Sequence, residues 1–240
     1  MLTGLNGRSA VVTGGTRGIG YAIACRLIAE GATVTITGTH EEPAMLPEGA
    51  SYSAVDFSDR QATLDFAEKL RSTAPDILVN NAGINRNAPF ADIDLEVFEE
   101  IHQINVSAPL LLCQAVLGPM RNSGWGRILN ISSIWGKVSR EGRAAYSASK
   151  FALDGITLAL AAEVASDGIL CNCLAPGFID TDLTRQTLGA EGISKVVSQV
   201  PAGRLGTPEE IAEFAAWLVS PANSYVTGQN IAIDGGFTRV

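Results

Sequence analysis

A tyrosine and a lysine four residues apart, Tyr146 and Lys150, form the pair best suited to chemistry in this sequence. They fall near the start of a helix predicted over 144–165, where residues i and i+4 lie side by side. A tyrosine has an ordinary pKa of about 10, and a neighbouring ammonium lowers it by favouring the phenolate. The pair would then exchange a proton nearer neutral pH. The spacing alone does not establish this, because a tyrosine packed on a lysine stem is common.

Polar side chains also stand where predicted strands end. Asn130, Ser132 and Ser133 close a strand predicted over 127–132, and an Asn-Asn-Ala-Gly turn over 80–83 follows a strand predicted over 77–80. Asn105 lies in the long helix predicted after that turn. In an open parallel sheet, ligands bind beyond the carboxyl ends of the strands. These side chains are therefore expected to meet at one edge of the sheet.

A glycine-rich turn, Thr-Gly-Gly-Thr-Arg-Gly-Ile-Gly over 13–20, connects the first predicted strand to the first predicted helix. Glycines allow a tight turn and a close approach of the backbone to a pyrophosphate, and the helix N-terminus offers free N–H groups and a partial positive charge. The spacing differs from the commoner Gly-x-Gly-x-x-Gly, and a plain strand–helix connection would also explain it. Its place after the first strand favours a dinucleotide site.

The end of the second predicted strand indicates which dinucleotide binds. A carboxylate there would bind the ribose hydroxyls of NAD, but the strand ends in Thr37-Gly38-Thr39-His40, and the next carboxylate is Glu41. Arg17, in the glycine-rich turn, could pair with a 2′-phosphate, helped by Thr39 or His40. The sequence therefore favours NADP(H), with NAD(H) as the alternative.

Short apolar runs rich in β-branched residues alternate with helical patterns along the whole chain. Strands are predicted over 9–13, 33–37, 51–55, 77–80, 127–132, 169–175 and 230–233, and helices over 18–31, 59–72, 95–121, 144–165 and 208–218. Such alternation predicts an α/β fold, a Rossmann-type doubly wound parallel sheet of about seven strands covered on both faces. We expect one domain over 1–240, with a break in the long helix near Pro109 or Gly118.

Residues 180–200 interrupt the alternation, and insertions of this length are often lids or binding loops. Phe178, Leu183 and Leu188 are its candidate lid residues, unless they pack against the core.

Composition excludes several classes of function. The chain has 240 residues and a formal net charge of −8, which disfavours binding to nucleic acid or to a membrane surface. Its start lacks a signal-peptide pattern, no apolar run is long enough to span a bilayer, and the four cysteines show no Cys-x-x-Cys. We expect reduced thiols in a cytoplasmic protein. His102 has no ligand-type spacing around it, so no metal site is predicted.

Taken together, these motifs resemble the short-chain dehydrogenase/reductase family over essentially the whole chain. The resemblance combines the Thr-Gly-x-x-x-Gly-x-Gly turn, Asn-Asn-Ala-Gly, a serine thirteen residues before Tyr-x-x-x-Lys, and Pro176-Gly177 followed by Thr181. It implies an NAD(P)-dependent oxidoreductase that moves a hydride between a nicotinamide cofactor and a carbonyl or secondary alcohol. Because every catalytic position is filled, a catalytically idle NADP(H)-binding protein is the weaker alternative.

The resemblance also implies roles for individual residues. Tyr146 matches the general acid/base, Ser133 the serine that hydrogen-bonds the substrate oxygen (with Ser132 as competitor), and Lys150 the lysine that binds the nicotinamide ribose and lowers the tyrosine pKa. Asn105 matches an asparagine that helps to hold a water for proton relay. The implied cofactor-binding residues are Gly14, Thr16, Arg17, Gly18, Ile19, Gly20, Thr39, Asp56 (adenine), Asn81, Ala82, Gly83, Tyr146, Lys150, Pro176, Gly177, Ile179 and Thr181.

Within the family, the segments over 175–182 and 200–206 resemble the 3-oxoacyl-[acyl-carrier-protein] reductases. That group tends to carry arginines beside its cleft, at positions that here are Gly124 and Asp167. An aspartate would repel an acidic carrier protein, which puts that partner in doubt.

The alternative substrate is a small polar or anionic ketone or alcohol, sugar-like or a hydroxy acid. In the loop over 135–143, Arg140 or Lys137 would contact it, with Trp135 as an apolar wall and Phe178 close by. A solvated loop would also explain this segment. The resemblance further implies a homotetramer in which the helices over 95–121 and 144–165 pack across a two-fold axis.

Overall fold

In a computed structural model, which describes residues 4–239 apart from the side chains of Leu183 and Thr187, the fold is a parallel seven-stranded sheet with helices on both faces. The strand order is β3-β2-β1-β4-β5-β6-β7, and every pairing is parallel. The strands are β1 (Ser9–Val12), β2 (Thr33–Gly38), β3 (Ser51–Ala54), β4 (Ile77–Asn80), β5 (Gly126–Ile131), β6 (Ile169–Pro176) and β7 (Asn230–Ile233). The predicted fold class is confirmed.

Seven α-helices connect or flank these strands. They are α1 (Gly18–Ala29), α2 (Arg60–Thr73), α3 (Leu95–His102), α4 (Ala108–Ser123), α5 (Ala144–Val164), α6 (Asp182–Val197) and α7 (Pro208–Leu218). One apolar cluster lies between the sheet and the helices α1 and α7, and a second lies between the sheet and the helices α2, α4 and α5. Burial of both sheet faces explains why the central strands are continuous apolar runs.

The long predicted helix is interrupted close to Pro109, one of the two positions that the sequence indicated. It passes through a π-helical turn, Gln103–Ser107, between α3 and α4. Pro109 has no N–H and cannot donate to the carbonyl of residue 105, so the irregularity falls on the turn before the proline. Pro119 also lies within α4, which continues to Ser123.

The stretch Leu95–Ser123 is also the helix of the described chain that is long and apolar enough, by those two criteria alone, to cross a membrane. In this fold it packs against α2 and α5, and its buried residues belong to the core. No uninterrupted apolar run of this length was predicted from the sequence, because polar residues of the π-helical turn interrupt the apolar pattern of this helix.

The insertion over 180–200 contains a helix, α6, where the sequence predicted a lid or binding loop. Thr181 caps α6, and Gly189 interrupts it with a positive φ of 62°. Of the expected lid residues, Leu188 is half-buried, while the side chain of Leu183 lies outside the described part of the structure.

The amino edge of the sheet has its own polar and aromatic cluster. The guanidinium carbons of Arg8 and Arg127 lie 3.8 and 4.4 Å from the ring centroid of Trp125. Asp76 accepts hydrogen bonds from Arg8 and from both the N–H and the hydroxyl of Ser9, at 2.8 to 2.9 Å. These contacts tie the start of β1 to the residues before β4 and β5.

The sequence predicts a helix that begins at residue 59, but in the structure Asp59 is the N-cap that precedes the first turn of α2. Its carboxylate accepts from the N–H groups of Gln61 (2.7 Å) and Ala62 (3.3 Å). We expect Asp59→Ala to lower the free energy of unfolding by about 1 kcal/mol, because both N–H groups lose their acceptor. Denaturant titration at fixed protein concentration, followed by circular dichroism, measures this.

Asp59→Asn keeps a capping oxygen and serves as the control, expected within about 0.5 kcal/mol of the parent. An alanine variant as stable as the parent would show that the cap contributes nothing.

Candidate active site

The glycine-rich turn is shaped for an anionic group at the N-terminus of α1. Gly14 and Gly18 have φ values of 64° and 55°, in the left-handed region that side chains disfavour. A Cβ on Gly20 would overlap the carbonyl oxygen of Gly14. Arg17 occupies the N-cap position without a side-chain capping hydrogen bond, so its side chain leaves the first N–H groups of α1 available. This cradle fits the pyrophosphate of a dinucleotide.

The turn is held in place by hydrogen bonds to the end of β4. The side-chain amide of Asn81 donates to the carbonyls of Thr13 (2.9 Å) and Gly14 (3.0 Å). In return, the Thr13 hydroxyl accepts from the N–H groups of Asn81 and Ala82, both at 2.9 Å. The two loops therefore hold a fixed position relative to each other where the strand order reverses.

Next to the glycine-rich turn, the end of β2 carries no carboxylate, and Arg17 supplies a positive charge. Arg17 is exposed and has no acidic partner or side-chain hydrogen bond among residues 4–239. Thr39 is exposed just beyond β2. Thr16 lies against β2, since a Cβ on Gly38 would approach its Cγ2 to 2.8 Å. Asp56, beyond β3, is also exposed and accepts from the N–H and hydroxyl of Ser58 at 2.9 and 2.8 Å.

Beside the cradle, at the carboxyl ends of β4, β5 and β6, lies a cleft of about 230 Å³. It brings together most residues that the sequence assigned to the reacting end of the site. Its lining includes Ile19, Asn81, Gly83, Ser133, Tyr146, Lys150, Pro176, Gly177, Ile179 and Thr181. Four further residues line the cleft and were not predicted from the sequence: Ile84, Asn85, Ile131 and Thr184. Asn105 lies behind the wall, 1% exposed.

Thr181 closes the cleft from above, because its side chain lies 3.5 Å from where a Cβ on Gly18 would stand. Its hydroxyl accepts from the N–H of Thr184 at 3.2 Å and so begins α6. Gly177 packs against Asp234, because a Cβ on Gly177 would lie only 2.7 Å from the Cα of Asp234. Ile179 is buried and bridges to Gly206. This segment forms a rigid wall opposite the glycine-rich turn.

Ser133 and Tyr146 face each other within the cleft. Ser133 accepts from the N–H of Trp135 at 3.2 Å, and its side chain lowers the pKa of Tyr146. The hydroxyl of Ser132, the competing serine, instead donates to the backbone carbonyl of Lys150 at 3.5 Å. Of the two serines, Ser133 is therefore the one that acts on the tyrosine.

Lys150 is buried and points at the backbone as well as at the tyrosine. Its Nζ donates to the carbonyl of Ile131 at 2.8 Å and lies 5.6 Å from the centre of the Tyr146 ring. Burial lowers the pKa of Lys150 to about 8, with Cys173 acting weakly in the opposite direction. A lysine of this pKa changes its protonation state easily near neutral pH.

The pKa of Tyr146 is set by burial, by Ser133 and by Arg143. Burial raises the pKa of Tyr146, and the hydrogen bond with Ser133 and the charge of Arg143 act against that rise. The opposing charge thus comes from Arg143, which the sequence analysis did not single out. Its position three residues before Tyr146, on the same helical face, was the available signal.

Asn105 uses its whole side chain to hold the loop after β4. The amide oxygen accepts from the N–H of Ile84 at 2.9 Å, and the amide nitrogen donates to the Ile84 carbonyl (2.9 Å) and to the Ser149 hydroxyl (3.0 Å). The side chain is therefore fully occupied within the protein. Its backbone carbonyl lacks the usual helical donor, because the residue four positions on is Pro109.

Of the expected substrate residues, Ser133 lines the cleft, whereas Trp135, Arg140 and Phe178 lie apart from its lining. Trp135 is 6% exposed and meets Phe178 and Phe237 edge-on, each at 6.1 Å between ring centroids. Phe178 lines a neighbouring cavity of about 130 Å³. Arg140 is exposed, with its guanidinium 5.0 Å from the Trp135 ring. Trp135 is thus a packed support for the loop rather than a bare wall.

Lys137, the alternative to Arg140, is engaged elsewhere. Its Nζ donates to the Asn230 carbonyl at 2.6 Å.

The positions considered for a carrier protein lie far from this cleft within the chain. Gly124 and Asp167 precede β5 and β6, at the amino edge of the sheet. Asp167 accepts from Arg121 at 2.8 Å, and Arg121 also donates to Glu163 at 3.1 Å. The expectation that these positions stand beside the chain's own cleft is wrong, because the polarity of parallel strands places them at the opposite edge.

Across the described residues, no group of three histidine, cysteine or acidic side chains is arranged to hold a metal. His102 hydrogen-bonds the Phe98 carbonyl at 2.9 Å and stacks on the Phe98 ring.

Comparison with known proteins identifies relatives across nearly the whole chain. The family model described as enoyl-(acyl carrier protein) reductase matches residues 14–238. A 3-oxoacyl-[acyl-carrier-protein] reductase from Aquifex aeolicus is 40% identical over 243 residues, covering 97% of this chain and 98% of the relative. The Escherichia coli protein of the same name is 40% identical over 241 residues, with 98% of each chain covered.

Solved structures carry a different set of names. A Beutenbergia cavernae protein described as an NAD(P)-dependent gluconate 5-dehydrogenase, with bound NADP, is 38% identical with a TM-score of 0.92 and 98% of each chain covered. A gluconate 5-dehydrogenase from Burkholderia cenocepacia, in complex with NADP and tartrate, is 32% identical with a TM-score of 0.90, covering 98% of this chain and 97% of that one.

We expect Gly20→Ala to weaken NADPH binding at least about tenfold. The new methyl group would overlap the Gly14 carbonyl and the Asn81 amide, so the turn must shift away from the position that accepts a pyrophosphate. Titration of NADPH fluorescence measures the dissociation constant.

Gly118→Ala is the matched control, because a Cβ there meets nothing within 4 Å. It should leave NADPH binding unchanged. Equal affinities in the two variants would show that close packing at Gly20 is irrelevant to binding.

Proposed function

Since the chain belongs to the short-chain dehydrogenase/reductase family, we propose that Tyr146, Ser133 and Lys150 carry its reaction and that Asn105 positions them. The protein is an NAD(P)-dependent oxidoreductase, and the reaction interconverts a carbonyl compound and a secondary alcohol. The observation that carries the assignment is the meeting of Ser133, Tyr146 and Lys150 in one cleft next to a glycine-lined cradle.

Proton transfer falls to Tyr146. The bound nicotinamide supplies or accepts the hydride. In the direction of reduction, the Tyr146 hydroxyl gives its proton to the substrate oxygen, while Ser133 donates a hydrogen bond to the same oxygen. The raised pKa of Tyr146 keeps it protonated before reaction, which suits a proton donor.

Lys150 and Asn105 support this step from behind. Burial lowers the pKa of Lys150 to about 8, so its ammonium can pass a proton toward the phenolate and regain one near neutral pH. We propose that the same group also binds the nicotinamide ribose. Asn105 fixes the loop at Ile84 with its side chain, so its backbone carbonyl, which Pro109 deprives of the usual helical donor, is the group proposed to hold a relay water.

NADP(H) is the proposed cofactor over NAD(H). Support comes from the exposed, unpaired Arg17 beside Thr39 and from the absence of a carboxylate at the end of β2. A 2′-phosphate would complement the guanidinium through charge-assisted hydrogen bonds. Several structural relatives hold NADP.

Two substrate classes are supported by different observations. Reduction of a 3-oxoacyl group is favoured by the full-length relatives of that name. A small polar or anionic alcohol or ketone is favoured by the gluconate dehydrogenases among the structural relatives. The cleft of about 230 Å³ and the arginines around Trp135 favour the second class. The net charge of −8 speaks against an acidic carrier protein as partner, whereas Asp167 lies away from the cleft and is paired with Arg121.

We further propose one domain over 1–240 that assembles as a homotetramer in the cytoplasm. Support for assembly comes from apolar side chains left exposed on α4 and α5, namely Leu110, Phe151 and Leu158 at 40 to 52% exposure. Apolar patches of this kind mark interaction surfaces.

We expect Tyr146→Phe to lower kcat by about 10²-fold or more while NADPH affinity changes little, because the transferable proton is lost with almost no change in volume. Steady-state kinetics and NADPH titration on the same preparation measure both quantities. Tyr225→Phe, at a tyrosine that is 94% exposed, is the control. A phenylalanine variant at position 146 with parental turnover would remove Tyr146 from the reaction.

We expect Arg17→Ala to lower kcat/KM for NADPH about 10- to 100-fold, with kcat/KM for NADH nearly unchanged, because only NADPH carries the 2′-phosphate that the guanidinium would bind. The control is Arg71→Ala, at an exposed arginine of α2, which should alter neither value. A parent enzyme that prefers NADH would contradict the cofactor assignment.

A further inference from the structure

Arg143 is a buried cation without a partner of opposite charge. The residue is 8% exposed. No acidic side chain within residues 4–239 lies within ion-pairing distance of it, and its guanidinium makes no hydrogen bond there. Arginine keeps its charge in proteins, and burying an unpaired charge is costly. An anion that enters the site would offset this cost.

The surroundings hold Arg143 in place without neutralising it. Its guanidinium lies 5.3 Å from the Trp135 ring, and that of Arg140 lies 5.0 Å from the same ring. Trp135 in turn is packed between Phe178 and Phe237. Burial lowers the pKa of Arg143, and the like charge of Arg140 lowers it further. Both effects disfavour the cation unless an anion joins it.

Arg143 also lies on the side of the reacting groups. It is the N-cap residue of α5, three positions before Tyr146 and so on the same helical face. Its charge acts on the Tyr146 hydroxyl. The neighbouring carbonyl of Gly142 accepts from the N–H of Ala88 at 3.3 Å, which joins this loop to the segment after β4 that lines the cleft.

That segment carries a second unsatisfied group. Asn85 lines the cleft, and its side-chain oxygen is buried with no hydrogen-bond partner among the described residues. Buried polar atoms are seldom left unpaired. A rotation of the Asn85 side chain toward the cleft would let this oxygen accept from a hydroxyl of the substrate.

Resting on the proposed function, we propose that Arg143 binds the carboxylate of a small polyhydroxy acid, that Asn85 accepts a hydrogen bond from one of its hydroxyls, and that this pair sets substrate specificity. In oxidation, the carbinol carbon would lose its hydrogen as hydride to NADP⁺, and the O–H proton would pass to Tyr146 in its phenolate form, whose own proton has first left toward Lys150. The product would be an oxo acid. The carboxylate takes no part in bond making, so Arg143 acts by binding and orienting the substrate.

The test compares two substrates that differ at one carbon, which is an anionic carboxylate in one and a neutral hydroxymethyl group in the other. Initial rates with NADP⁺ are measured for gluconate and for glucitol, in which a hydroxymethyl group replaces the carboxylate, for the parent, Arg143→Gln, Arg143→Lys and Arg140→Gln. We expect the parent to prefer gluconate, and Arg143→Gln to lower kcat/KM for gluconate about 10- to 100-fold, mainly through KM. Its kcat/KM for glucitol should fall by a clearly smaller factor, because with that substrate only the effect of the Arg143 charge on Tyr146 is lost.

The two remaining variants separate the buried arginine from general charge. Arg143→Lys should recover part of the loss, because it restores the cation without the bidentate fork. Arg140→Gln should cost no more than about threefold, since an exposed, hydrated charge contributes little. A second readout is thermal stabilisation by gluconate in the absence of cofactor, expected for the parent and lost in Arg143→Gln.

Each result has a distinct meaning. Equal use of gluconate and glucitol by the parent, or equal losses on both substrates in Arg143→Gln, would overturn the inference. The second pattern would indicate that Arg143 acts on the reaction only through its charge on Tyr146. A parent that reduces neutral ketones or a 3-oxoacyl thioester, but neither oxidises gluconate nor is stabilised by it, would overturn the inference and leave the proposed function standing. Inactivity on every ketone and alcohol would count against the proposed function itself.

Discussion

The exchange of hydrogen bonds between Thr13 and Asn81 is the contact on which the site depends. It joins the loops after β1 and β4, the two strands between which the sheet reverses its order. The glycine-rich turn continues from Thr13, and the loop held by Asn105 continues from Asn81. A shift of either loop would therefore move the cradle for the dinucleotide relative to the reacting groups. Short hydrogen bonds between buried or half-buried loops fix that relation.

Burial shifts the pKa values of Tyr146 and Lys150 in opposite directions. Removal from water raises the pKa of Tyr146 and lowers that of Lys150, so both shift toward their neutral forms. Ser133 and Arg143 oppose this for the tyrosine. The cleft thus keeps a proton donor and a labile lysine close together without an internal ion pair. Arg143 carries a positive charge close enough to act on Tyr146, where it favours the phenolate.

The sequence predicted the fold well where local signals are sharp. The bounds of β4 and α7 agree with the prediction, because α7 begins with Pro208 and a capping box between Thr207 and Glu210. Pro109 indicated an interruption of the long helix, but its π-helical form could not be foreseen, since apolar periodicity runs through it. The roles of Ser133 and Tyr146 rested on spacing and motif. The burial of Arg143 had no local signal, because a neighbouring glycine and charges suggest a solvated loop, and only the distant aromatic residues show otherwise.

The parallel sheet has two unlike edges, and they can change independently. The carboxyl edge holds the reacting groups, whereas the amino edge holds the cluster of Arg8, Arg127 and Trp125. β5 alone, with six residues, separates the edges by roughly 20 Å. Substitutions that far apart usually add their free energies. An engineer could therefore strengthen the aromatic–arginine cluster to tolerate the cost of remodelling substrate choice at the opposite edge, and evolution has had the same freedom.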